Sequence, residues 1–300
     1  MGTTDLGPWV HSGRVFSAEE IAGICQTVAW LPGLARKELA ATLCEHLDWH
    51  TVAGTPKLDA CRQLLGRLEA AGLLQLPAVR APGRQRRMPL AAPPEAVDEA
   101  PLCTPLAALG PVHLEVVQTP EAAVQWDAAV ARWHPLGFKG AFGYRLRYFI
   151  TAGEQYLGCV LLAGAARALM VRDRWIGWDA QACRANRVRI LNNSRFLIFP
   201  HVRVAHLASH VLGQLARRVR ADWQQHWGFE PLLLETFVDP RHYAGTCYRA
   251  AGWELLGETS GRGLARPGQT YRSTPRQVWV KPLSADWRAR LCAAGGSERP

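Results

Sequence analysis

The stretch ETFVDPRHYAGTCYRAAGWELLGE, residues 235–258, places Glu235, Asp239 and Tyr248 close together in sequence. Glu235 interrupts the apolar run LLLETFV at 232–238. A carboxyl forced into such a strand loses hydration, its pKa rises, and it becomes suited to work as a general base. The same carboxylate facing one of the chain's many arginines would be a structural ion pair, and both readings stand at this point. Side chains alternate between the faces of a strand, so residues 235 and 237 share a face and Asp239 falls past the strand end. Tyr248 on a short helix beside a strand packs as an aromatic with a satisfied hydroxyl, unless a cleft opens in front of it.

A different constellation draws on Asp173, Glu235, Asp239 and His134. Oxygen ligands suit Mg²⁺, and a hard divalent cation could support phosphodiester cleavage. Nothing in the spacing makes these four converge, so no metal is expected and a metal-dependent nuclease is the lowest-ranked alternative. The eight cysteines, at 25, 44, 61, 103, 159, 183, 247 and 292, include no C-x-x-C pair. They read as buried free thiols rather than as a zinc site or a disulfide framework.

Lys plus Arg number 35 against 25 Asp plus Glu, a net charge of +10, and only four of the basic residues are Lys. The planar guanidinium fork suits phosphate and guanine edges. An arginine-rich composition also follows from a GC-rich genome, without any partner. Arg195, Arg203, Arg249 and Arg262 form a basic set around the chemistry-bearing stretch and fit phosphate, in a coenzyme or in nucleic acid. Gly261-Arg262-Gly263 is a flexible basic loop or a plain turn. There is no run of about 18 apolar residues that could cross a membrane. The N-terminus lacks a basic start followed by an apolar stretch, which points to a cytoplasmic protein.

The elements that would position these residues fall into two groups. Ser17 and Glu20 have capping-box spacing and open a helix to Trp30. Arg36–Leu47 repeats the helical period, and a third helix over Leu58–Ala71 turns Cys61, Leu64, Leu65 and Leu68 inward, with Gly72 as its stop. LLQLPAV then reads as a short strand, followed by Pro-Gly and three arginines. Three short helices ending in a basic hairpin make a winged helix-turn-helix, whose third helix enters the major groove of DNA. Lys57, Arg62 and Gln63 would then lie on the exposed face of that helix, with Arg84, Arg86 and Arg87 in the wing. A three-helix protein-interaction domain with a basic tail has the same pattern. Residues 1–87 are thus a winged-helix nucleic-acid-binding domain and 88–111 a Pro/Ala-rich linker.

From 112 to 300 strands and helices alternate: VHLEVV, a helix to His134, a hairpin over 144–165, a helix from Gln181 to Leu191, then FLIF. HLASHVLGQLARRV, LLLETFV, HYAGTCYRAAG, WELLGE and QVWVKPL follow as helix, strand, helix and two strands. This order requires an α+β domain with a mixed sheet and helices on both faces.

The series strand, helix, hairpin, strand, helix, strand, helix, strand, strand resembles the GNAT acyltransferase superfamily. In that family a strand ends in a splayed bulge, and the next helix starts with Gly-rich backbone that cradles the pyrophosphate of coenzyme A, as free N–H groups at a helix N-terminus do. TCYRAAGWELLGE (246–258) resembles the family's last element, which implies that Tyr248 protonates a departing thiolate and that Gly252-Trp253 is the Gly-aromatic pair. Its phosphate loop, Arg/Gln-x-x-Gly-x-Gly/Ala, aligns with Arg203, His206 and Ala208. His206 departs from the pattern, since a Cβ stands where backbone must approach phosphate. Either the pocket binds something other than coenzyme A, or it binds it differently.

Nearly the whole chain, from about 17 to 282, resembles the A component of the Druantia anti-phage system, whose relatives also occur beside transposases. RDRWIGW (172–178), NSRFLIFPHVRVAHLAS (193–209), LETFVDPRHYAGTCYRAAGW (234–253) and GETSGRG (257–263) carry the resemblance. It implies a defence or mobile-element role, with a transposase or a defence-system helicase as partner, and names no reaction. The expectation is a DNA-binding protein whose GNAT-like domain is silent or takes a ligand other than coenzyme A. The alternative is an acyltransferase acting on a nucleic-acid-bound or nucleotide substrate.

Overall fold

In the computed structural model the described residues are 8–52, 54–78, 100–138, 143–166, 169–261 and 274–293. The capping box forms as expected: Glu20 N–H donates to Ser17 Oγ at 3.2 Å and Ser17 N–H to Glu20 Oε2 at 3.0 Å, starting α1 (Ala18–Trp30). Helix α2 (Arg36–Leu47) ends where Asp48 turns left-handed, and α3 (Leu58–Ala70) buries Cys61, Leu64, Leu65 and Leu68. A hairpin that the sequence did not announce, β1 (Trp9–His11) with β2 (Arg14–Phe16), precedes them. Phe16 meets Trp49 edge-on at 5.0 Å, and Arg14 donates to Leu47 O and pairs with Glu20, so the hairpin is tied to α1 and α2.

One expectation for this region changes. Residues 73–78, expected to hold a strand, are irregular, because Leu73 N–H folds back onto Leu68 O and Leu76 N–H onto the Glu69 carboxylate. The connection between α2 and α3 runs from 48 to 57, as the expected ends of the two helices implied. The wing arginines Arg84, Arg86 and Arg87 lie outside the described residues, as does 88–99 of the expected linker. Its remainder is docked: Leu102 N–H donates to His201 O at 2.9 Å, Leu102 O accepts from Arg203 N–H at 2.8 Å, and Leu102, Leu106 and Leu109 pack on the core.

Among the described residues a seven-stranded mixed sheet follows, in the order β3-β4-β5-β6-β7-β9-β8. The strands are β3 (Val112–Val116), β4 (Arg145–Ala152), β5 (Gln155–Gly164), β6 (Ile190–Ile198), β7 (Leu233–Val238), β8 (Glu254–Glu258) and β9 (Gln277–Pro282). Every neighbouring pair is antiparallel except β6 with β7. A parallel pair needs a crossover, and α7 (Leu207–Trp227) supplies it, running eight residues past the end expected from sequence. This is the α+β arrangement that the strand and helix order required.

Cross-strand rows fix the two faces. Arg145, Ala163, Asn192, Glu235 and Val280 lie in one row, and Arg147, Leu161 and Arg195 in the next on the same face. Helix α4 (Pro120–Trp133) covers that face over the first strands, where Asp127 pairs with Arg147. The small helices α5 (Met170–Ile176), α6 (Ala180–Asn186) and α9 (Trp287–Cys292) cover it around β7 and β9. The opposite face carries α7 and α8 (Thr246–Ala250), with Trp223, Trp253 and Trp279 in the core. Helix α6 stops at Asn186 and β6 begins at Ile190, which corrects the helix expected to Leu191. No described helix is long and apolar enough to cross a membrane.

The N-terminal helices share this core. Trp30 stacks on Phe229 at 5.4 Å just past the C-terminal end of α7, and Arg189 lies over Trp30 at 5.2 Å. Glu38 pairs with Arg145 and Glu19 with Arg184. Truncating Trp30 to Ala is expected to destabilise the whole chain by about 2 kcal/mol. Denaturant unfolding followed by circular dichroism should keep a single transition; a split transition would show that the three helices unfold independently of the sheet.

Candidate functional site

The parallel pairing of β6 with β7 covers only Ile190–Leu233, Leu191–Leu234 and Asn192–Glu235. Immediately beyond it β6 bulges: Asn193 faces Leu162 and Arg195 faces Leu161, so Ser194 is the extra residue. From there the two strands part. On the α7 side Thr236 Oγ1 donates to Asn193 O at 3.0 Å, and Asn193 Nδ2 to Tyr248 Oη at 3.4 Å. The Tyr248 ring packs edge-on to Trp253 at 5.1 Å and stacks over Trp279 at 6.4 Å. At 7% exposure the phenol is raised above its ordinary pKa by burial. Tyr248 therefore faces the fork between the strands as a packed side chain on its floor. Gly245, with φ +69°, lets Trp279 come this close, since a Cβ there would stand 2.6 Å from the indole.

On the other side of the fork Glu235 is fully buried and pairs with the equally buried Arg172 at 2.7 Å. Its other oxygen accepts Ala166 N–H at 2.6 Å. Arg172 also donates to Ala166 O and to Asp173 Oδ1. Burial by itself would lower the Arg172 pKa, but the charges of Glu235 and Asp173 outweigh it and the value is raised. With both oxygens engaged, Glu235 has the bonding of a structural ion pair and not of a base awaiting a proton.

Asp239 lies past the end of β7, as the alternation implied. Arg241 grips it through Nε at 3.0 Å, Nη2 at 2.7 Å and its own N–H at 3.1 Å, and the guanidinium holds the carboxyl well below the usual range. His134 accepts Leu136 N–H on Nδ1; burial and the nearby Arg195 lower its pKa to about 4. Among the described residues no three His, Cys, Asp or Glu side chains gather to hold a metal ion. Asp173, Glu235, Asp239 and His134 thus do not assemble into the metal set considered from sequence.

At the other end of the fork, α7 begins at Leu207 with His206 as its N-cap. His206 has φ +64°, the left-handed conformation natural to Gly, and its carbonyl accepts His210 N–H and Ser209 Oγ–H at 3.0 Å each. A non-Gly residue there costs about 1 kcal/mol, so the backbone keeps a glycine-type turn although the side chain is imidazole. That imidazole caps no helix N–H. Arg203 is exposed three residues before it, and Ala208 sits half-buried in the first helical turn.

The structure divides the basic set. Arg203 stands before α7, Arg249 lies over Trp279 on the α8 side, and Arg195 is on the opposite face of β6. Arg262 is outside the described residues. Lys57 immediately precedes α3 and its N–H donates to Trp49 O, while Arg62 and Gln63 are exposed on α3, Arg62 at 3.7 Å from Asp59. Sequence reasoning missed the part played by Arg172, which takes its meaning from residues far away in the chain.

Residues 97–273, more than half of the chain, match the family model described as Druantia protein DruA. No curated protein matches. Among solved structures, a putative GNAT acetyltransferase from Desulfovibrio desulfuricans is 13% identical, covering 58% of this chain and 100% of its own, with TM-score 0.36. A Bacillus subtilis acetyltransferase in complex with CoA is 9% identical over 58% and 98%, TM-score 0.35. A GNAT-family acetyltransferase from Streptococcus pneumoniae is 14% identical over 57% and 99%, TM-score 0.36. Likeness at this level assigns no residue a role.

The buried pair gives a stability prediction. Glu235→Gln leaves Arg172 buried without its counter-charge and is expected to destabilise the chain by about 3–5 kcal/mol. Replacing both, as Arg172→Met with Glu235→Leu, should destabilise less than the single change. Chemical denaturation of the parent and the two variants checks this; a double variant less stable than Glu235→Gln would contradict the pairing.

Proposed function

The chain belongs to the DruA family, and from that premise we propose that it is a DNA-associated component of a Druantia system whose α+β domain binds a phosphate-bearing ligand of the coenzyme A type. The observation that carries this reading is His206, whose left-handed backbone starts a 21-residue helix directly after a bulged strand has left its parallel neighbour. The first N–H groups of such a helix have no intrahelical partner and face the positive end of the dipole, which suits a phosphate. Arg203 adds an exposed cation beside them. The edge of β6 beyond the fork offers backbone groups to an extended amide-bearing arm. Glu235 and Asp239 are each held by an arginine, so the arrangement favours ligand binding over base-assisted acyl transfer.

Coenzyme A added to the full chain is expected to raise its melting temperature. Arg203→Ala should weaken binding about tenfold, the scale of one charge-assisted contact. His206→Gly should stabilise the unliganded chain by up to about 1 kcal/mol and leave binding intact or tighter. An unchanged melting temperature at millimolar coenzyme A would sink the coenzyme reading.

DNA association has its own support. Arg62 and Gln63 are adjacent and exposed on α3, whose other side is pinned by Cys61, Leu64, Leu65 and Leu68. An arginine and an amide so placed suit base edges in a major groove. Arg62→Ala in the full chain should relax sequence preference by about 1–3 kcal/mol at one base pair, with little change in salt dependence. If the intact protein binds no duplex at low salt, where phosphate contacts are strongest, the DNA reading fails.

A further inference from the structure

We propose that the groove between residues 106–113 and the first turns of α7 binds a purine base. The groove has a volume of about 790 Å³. Leu106, Ala107 and Pro111 give it apolar walls, and His113, His210 and Gln214 give it a polar edge. Apolar walls with a few convergent polar groups, at this size, are the usual make-up of a small-molecule site.

The fold holds both sides of the groove in place. One side is the docked part of the expected linker, tied down where Leu102 O accepts Arg203 N–H and where Leu106 and Leu109 pack on the core. The other side is α7, where residues four apart share a face, so His210 and Gln214 stand one above the other. His113 joins them from β3, exposed between the buried Val112 and Leu114.

The hydrogen bonds already made show which atoms are left for a ligand. Gln214 Nε2 donates to Val112 O at 2.9 Å and meets His210 Nε2 at 3.1 Å. Both amide protons are thereby used, and His210 Nε2 is the acceptor. The ring proton of His210 is then on Nδ1, and Gln214 Oε1 is the amide's acceptor. Among the described residues neither of these two atoms has a partner. A donor and an acceptor on touching side chains suit the edge of a purine such as adenine, which itself carries an acceptor beside a donor. A wholly apolar ligand would leave both unmet. The His113 ring adds a face of the kind on which bases stack.

Position favours a nucleotide over other planar ligands. His210 N–H donates to His206 O, so the groove begins one helical turn, about 5.4 Å, from the start of α7. A nucleotide whose phosphate met that helix start would have its base within reach of the groove. Only this step rests on the phosphate reading above; the polar edge of the groove is independent of it.

The experiment titrates the full-length protein with adenosine, which has no phosphate, and separately with adenosine 5′-monophosphate and an oligodeoxyadenylate. Adenosine is expected to bind. Ala107→Trp fills the groove from an exposed position and should weaken that binding about tenfold or more. His210→Phe keeps a ring but removes the donor, and should weaken it about tenfold. Tighter binding of the monophosphate than of the oligonucleotide identifies a free nucleotide as the source of the base, and the reverse order a nucleic-acid strand. If adenosine binds and the monophosphate binds no tighter, the phosphate reading fails while the groove stands. The proposal is overturned if millimolar adenosine does not bind the parent protein, or if Ala107→Trp and His210→Phe bind it as well as the parent does.

Discussion

Asn192 and Glu235 are the last residues at which β6 and β7 are joined, and much of the molecule is arranged around that limit. Two strands that part in the middle of a sheet leave backbone groups without partners, which is costly in a core. The chain contains the loss on both faces. Below, the Glu235 carboxylate at the last paired position is locked to Arg172 and Ala166 N–H. Above, Thr236 Oγ1 satisfies Asn193 O, and Tyr248 fills the angle with its hydroxyl toward Asn193. The charged pair and the aromatic floor are two fastenings of one fork, and each leaves its mouth open.

Helix α7 connects that mouth to the N-terminal helices. Twenty-one residues at 1.5 Å each set roughly 30 Å between His206 and the Trp30–Phe229 contact. Tyr148 Oη donates to Asp222, and Arg218 reaches Asp222 and Leu114 O, so the middle of the rod is fixed to β3 and β4. A ligand at the fork and a partner on α3 would thus address opposite ends of a rigid crossover. The strained turn at His206 sits at the end that carries the ligand groups, where backbone strain characteristically collects.

Much of this was legible in the sequence because local rules agreed with the fold. The capping box at Ser17, the helical stripe Cys61–Leu68 and the apolar run ending at Val238 each specify an element without outside help. The start of β6 did not show itself, because Asn192, Asn193 and Ser194 look like a turn until the bulge and the fork give their polar groups partners. The helices α5 and α9 are each stabilised through long-range contacts, such as Trp175 on Trp287 at 4.6 Å, which no local pattern reveals. Glu235 was visible as an anomaly in an apolar strand, but its meaning depended on Arg172, 63 residues earlier. A single chain shows that a charge is buried more readily than it shows what neutralises it.

The same distinction governs the excess of positive charge. A net +10 suggests a uniformly basic surface, yet many described arginines are already matched: Arg14 with Glu20, Arg36 with Glu69, Arg145 with Glu38, Arg147 with Asp127, Arg184 with Glu19, Arg220 with Glu230. Several of these pairs are spent on holding elements together. Charge so used contributes little field at a distance, since each pair is nearly neutral beyond its own length. Among the described arginines with no carboxylate at ion-pair distance, Arg195 on β6 and Arg203 just before α7 are at the fork, whereas Arg67, Arg174 and Arg288 stand on α3, α5 and α9. Screening at physiological salt confines each cation's influence to about 8 Å, so the field at the fork is set by these few groups and not by the average composition. The composition says only that anions are welcome; the pairing pattern says which cations are left to meet them.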